Sequence, residues 1–153
     1  MKLREKQSAL SDALAQFEKC LETPVIPGEL PGWCQRATAA CDDVHTHLRR
    51  AIDIDHPELF RQIRHEDPAL AARVEALRES DDEVIEQLGQ VEQYFEHLCQ
   101  LGADVEPDEA KVDEYVEKAV DKGLALVLAI RKQETAITTW YMEALQRDRG
   151  VVD

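Results

Sequence analysis

The sequence predicts an all-α protein, an up-down-up-down four-helix bundle whose third and fourth helices are longer than the first two. Two observations carry this. Apolar residues recur at alternating three- and four-residue intervals through four long segments, the spacing that lines one face of a bundle helix. No stretch alternates with period two over a strand's length, so no sheet is expected. Composition agrees: 44% apolar, 5% aromatic and 33% charged residues, over a length of 153, describe one helix-rich domain with enough core to fold alone.

Prolines and glycines set the boundaries. "TPVIPGELPG" (23–32) and "LGADVEPDEA" (101–110) are loops. "DIDHPELFRQIRHEDP" (53–68) is a third break, because the residue before each proline is driven out of helical geometry, with room for a short helix over 57–65. Asp67 before Pro68 makes a good cap for the third long helix. The single domain, 1–153, then carries helices at about 2–22, 33–54, 68–100 and 108–148.

Each helix has its seam. The first runs through Leu3, Leu10, Leu14, Phe17 and Leu21, the second through Trp33, Ala37, Cys41, Val44, Leu48 and Ala51. The third runs from Leu70, Val74 and Leu77 through Val84 and Leu88 to Val91, Phe95 and Leu98. The fourth uses Val112, Val116, Ala119, Leu126, Ile130, Ile137, Trp140 and Ala144, with Gly123 as the expected bend. The longer pair should overhang the shorter one and expose Val91, Phe95, Leu98, Val112 and Val116. Either the two helices cover each other as a coiled coil, or a second copy does so in a homodimer.

A formal net charge of −14 argues against nucleic acid and anionic membranes as partners. The opening "MKLREKQSAL" lacks the apolar run of a signal peptide, and no segment approaches a membrane span. The cysteines, Cys20, Cys34, Cys41 and Cys99, include no C-x-x-C pair. Cys34 and Cys41 are two helical turns apart, too far to bridge, so reduced, half-buried thiols in a cytoplasmic protein are expected. Nucleophile elbows, Gly-rich phosphate loops and H-E-x-x-H are missing, and no spacing pairs a cysteine with a histidine base, so no catalytic residue is assigned.

Each seam carries one polar residue. Continuing the spacing places Gln7, Asp55, Asp81 and Gln133 on the buried faces of the four helices in turn. Buried unpaired, such groups cost several kcal/mol, so they should find partners, most simply one another. Two readings stay open: a hydrogen-bond network that fixes register, or a ligand site. Around a turn near residue 104, Asp81 is level with about residue 127, roughly 9 Å short of Gln133, which predicts a staggered cluster. Asp81→Leu separates the cases, stabilising the fold if the carboxylate is poorly partnered and destabilising it if the network is complete.

Inward polar residues from four helices also build di-iron centres. The chain resembles the hemerythrin-like (HHE cation-binding) family. The resemblance rests on "PGWCQRATAACDDVHTHLRRAIDID", "DPALAARVEALRESDDEVIEQL" and "RKQETAITTWYMEALQRDRGVVD", and covers nearly the whole chain. It looks like a bacterial branch with a Pro/Gly-rich loop and a Trp opening the second helix. The family's ligands are histidines and carboxylates. Carried over, the first-helix histidine falls at Gln7 and the second-helix H-x-x-x-E at Ala51 and Asp55. The third-helix histidine falls at Asp81, and the last-helix pair at Gln133 and Ile137. No family histidine is kept, and two carboxylates with two amides suit iron poorly. A hard ion such as Mg²⁺ or Ca²⁺ would accept oxygens but prefers more of them. Of the five histidines only His47, beside Ala51, reaches the core edge as an extra ligand; His56 and His65 fall in the expected break. The resemblance therefore implies a non-enzymatic bundle with a degenerate metal site and no cofactor, acting through an unknown protein partner or self-association. The alternative is a bundle or sensor binding iron, another divalent metal or a small ligand through Asp55, Asp81, Gln7 and Gln133.

Overall fold

The computed structural model describes residues 2–150, and no strand occurs among them. Leu3, expected on the first seam, has a side chain outside the described set, as does the tail 151–153. Helix α1 spans Lys2–Glu22 and α2 Leu30–Arg50; α3 (His56–Glu66), α4 (Ala71–Gly102) and α5 (Glu109–Gly150) come next. In the loop between α1 and α2, Gly28 takes a positive φ of 85° that only glycine adopts without strain. The Trp33 indole N–H donates to the Thr23 carbonyl at 2.9 Å and ties that loop to α2.

The break expected at 53–68 is not one. A π-helical turn, Ala51–Asp55, joins α2 to α3 with no departure from right-handed helical backbone, so one rod runs from residue 30 to 66. The His56 N–H donates five residues back to the Ala51 carbonyl. Pro57 explains the location. It has no N–H and its ring crowds the carbonyl four residues earlier, and a π turn widens the helix where that conflict falls. The rod ends at Asp67, whose backbone is extended and whose side chain accepts from the Ala69 N–H at 3.1 Å.

Contacts between neighbouring helices run in opposite sequence order. Cys20 meets Arg36 and Trp33 meets Thr23 between α1 and α2. Thr38 meets Cys99 and His45 meets Glu92 between α2 and α4. Between α1 and α5, Gln7 reaches Thr138 and Glu18 holds Arg131 at 2.7 Å. At Gly123 a Cβ would lie 2.7 Å from Leu21, so this glycine lets α1 approach α5.

The core divides in two. The larger cluster joins α1, α2, the second half of α4 and the first half of α5 around Phe17, Trp33, Phe95 and Leu98. The smaller joins α3 to the start of α4 and the end of α5 through Leu59, Phe60, Ile63, Val74, Leu77 and Ile137. The exposed overhang expected from the sequence does not exist. Val91, Phe95 and Leu98 are at most 2% exposed, Val112 is buried and Val116 half-buried. Phe17 and Trp33 each pack on Phe95 with ring centroids 6.0 Å apart. The reason is that the two interhelical loops lie at one level, with Leu30 against Gly102. The surplus length of α4 and α5 therefore lies at the other end, where α3 covers it. The apolar strip that suggested a homodimer is internal to one chain.

Candidate functional site

The boundary between the two clusters is polar. On α4, Asp81 lies between Leu77 of the smaller cluster and Val84 of the larger. On α5, Gln133 lies between Ile130 and Ile137 in the same way. On the long rod the corresponding residue is His56, between Ala51 and Leu59. His56, Asp81 and Gln133 are the buried polar residues among those described, at 1%, 3% and 8% exposure.

His56 is the centre. Its Nδ1 lies 2.8 Å from Asp81 Oδ2, and its Nε2 lies 2.7 Å from Glu134 Oε1. The Gln133 amide donates to the other Asp81 oxygen at 2.9 Å and to the Leu77 carbonyl at 2.7 Å. An imidazole that donates on both sides to carboxylates is protonated on both nitrogens. Burial by itself would pull the His56 pKa down; the hydrogen bonds to Asp81 and Glu134, reinforced by their charges, outweigh it and push it up to about 9. The ring is therefore a cation at neutral pH, tying α3 to α4 and α5. No buried side-chain nitrogen or oxygen among the described residues lacks a partner.

Of the expected cluster, Asp81 and Gln133 do meet. The stagger foreseen between them is absent for two reasons. With α4 ending at Gly102 and α5 starting at Glu109, the turn centres near 105–106, which brings Asp81 level with about residue 130. The remaining three residues, about 4.5 Å, are covered by the Gln133 side chain, which leans towards its own helix N-terminus and so towards Asp81. Gln7 is half-buried and donates to Thr138 Oγ1 at 3.3 Å, beside the network. Asp55 is corrected: the π turn adds one residue to the rod, so Asp55 moves to the edge of the core, half-buried, and His56 takes the inward place. His47 is half-buried on α2 and outside the network.

His56 and Glu134 are the residues that sequence reasoning missed. The signal was present: Pro57 sits where a seam must continue into "ELFRQI", and a helix that passes a proline by a π turn shifts its face by one residue.

The donor set does not fit the di-iron centre that the resemblance implies. Both His56 nitrogens are committed to carboxylates, and both Asp81 oxygens accept hydrogen bonds. The crevice bounded by Gln7, Asp55, His56 and Glu134 holds about 10 Å³, at the lower limit for one water molecule. No grouping of three or more His, Cys, Asp or Glu arranged to hold a metal occurs among the described residues. No family model, curated protein or solved structure matches the chain, so the site is read from its own geometry. No helix among the described residues is long and apolar enough to cross a membrane.

Proposed function

We propose that the chain is a non-enzymatic, up-down-up-down four-helix bundle of hemerythrin-like ancestry that acts through protein–protein contact. In it a protonated histidine stands in for the metal. The observation that carries the reading is the placement of His56 between Asp81 and Glu134, 2.8 and 2.7 Å away. A metal centre in such a bundle is a buried cation holding carboxylates from several helices together. Here the imidazolium performs that structural task, and the centre is closed to substrates. Activity then resides on the surface, which is strongly acidic at a net charge of −14 and favours a partner with a basic face. The opposite sequence order of contacts between neighbouring helices supports the up-down topology.

The second reading, a metal- or small-ligand-binding bundle or sensor, draws on Gln7, Asp55, His56 and Glu134 sharing one crevice. A ligand there has to separate Glu134 from His56 Nε2. Metal analysis with an absorption spectrum of the purified protein distinguishes the two. The expected result is substoichiometric metal and no oxo-bridge bands; stoichiometric iron would favour the second reading and overturn the first.

A further inference from the structure

The four cysteines are free thiols, but they are not equivalent. Cys34 is buried on α2, and Cys99 is half-buried on α4. Thr38 lies one turn beyond Cys34 on the same face of α2, and its hydroxyl is 3.8 Å from the Cys99 sulfur. Cys34 is near enough to Cys99 for the second thiol to disfavour its ionisation. Both line one groove of about 520 Å³ between α2 and α4, with Leu30, Thr38 and Gly102. Cys99 also lines an adjoining groove of about 510 Å³. A small reagent that enters either groove therefore meets Cys99, with Cys34 beside it in the first and Cys41 in the second. Cys41 is buried and answers to Glu92 and Asp42 instead, and Cys20 faces the Arg36 carbonyl.

We propose that Cys34 and Cys99 form a peroxide-oxidisable dithiol that closes to a disulfide bridging α2 and α4. The oxidant is a hydroperoxide, with hydrogen peroxide the simplest. Cys99 gives up its proton to water and its sulfur attacks the O–O bond. An S–O bond forms, the O–O bond breaks, and the departing hydroxide is protonated to water, leaving a sulfenic acid on Cys99. The Cys34 sulfur then attacks that sulfur. The S–S bond forms, the S–OH bond breaks, and hydroxide leaves with the Cys34 proton as a second water. Two thiols lose two electrons and one peroxide gains them. Burial, followed by the nearness of Cys99, pushes the Cys34 pKa up to about 12, so Cys34 keeps its proton until the second step and serves as the resolving thiol. The bridge closes a loop of 64 intervening residues that includes the π turn and α3, and loops of this length stiffen the unfolded chain most.

The test treats the reduced full chain with a few equivalents of hydrogen peroxide, in buffer and in urea. Free thiols are alkylated, and trypsin with a glutamate-specific protease then separates the four cysteines. The expected product is peptide 30–36 linked to peptide 97–109, formed faster in buffer than in urea. It should raise the melting temperature by roughly 5–15 °C, reversed by a dithiol reductant. Cys20→Ser and Cys41→Ser should leave this product unchanged. Cys34→Ser should leave Cys99 as a trappable sulfenic acid. The proposal is overturned if wild-type Cys34 and Cys99 both remain alkylatable. It also fails if Cys99 pairs with another cysteine, or if the bridge forms as fast in urea.

Discussion

The two halves of this core solve the same problem differently. In the larger cluster four helices present regular seams, and aromatic side chains fill the centre, with Phe17 and Trp33 both packed on Phe95. In the smaller cluster three helices close one end, and α3 joins only because a π turn has rotated it. The larger half is held by periodic apolar burial that every turn repeats. The smaller half depends on one register shift, and the charged network between the halves depends on the same shift. One surplus residue can thus build a buried ionic site, because every side chain beyond it moves to a new face.

The strongest test breaks the layer between the halves. Asp81→Leu leaves the His56 cation facing Glu134 alone and removes one of two acceptors from the Gln133 amide. Since the network is complete, the substitution should cost about 3–5 kcal/mol in chemical denaturation. A stabilised variant would show instead that apolar packing across the layer outweighs its hydrogen bonds.

A change of pH sharpens the comparison with less disturbance. The His56 pKa is raised on folding from 6.5 to about 9. Its stabilisation is therefore complete below about pH 6.5 and is lost as pH rises through about 9, roughly 3 kcal/mol in all. Urea midpoints across that window should fall for the wild type and stay flat for His56→Gln. Amide exchange should report the loss first in α3, the start of α4 and the end of α5, while the Phe17–Trp33–Phe95 half stays protected.

The smallest expected effect comes from the boldest edit. Deleting Ile54, which is 58% exposed, together with Pro57→Ala turns the rod into plain α-helix. His56, Leu59, Phe60 and Ile63 then continue the Val44–Leu48–Ala51 seam without a π turn. Stability should stay within about 1 kcal/mol of wild type, whereas an unfolded or molten product would mean that the π turn does more than correct register.

Legibility in the sequence tracks the same division. Gln133 and Asp81 are legible as partners because each interrupts a seam that repeats on both sides of it. The covered overhang is not, because it depends on which ends of the helices lie level, and loop lengths leave that open. Sequence reasoning misplaces Asp55 and passes over His56 because Pro57 reads as the end of a helix that it only widens.

By itself the sequence determined the helices, their apolar faces, the acidic surface and the need for partners at Asp81 and Gln133. Side-chain spacing and composition are local properties, and local energetics enforce them wherever a segment lies. The tertiary structure decided which residue completes the network, and that the completing residue is a cation. That choice rests on a single five-residue turn, which Pro57 locates and which buries Leu59, Phe60 and Ile63 and brings His56 between Asp81 and Glu134. Helix propensity carries no record of that gain, because the groups that supply it lie 25 and 78 residues away along the chain.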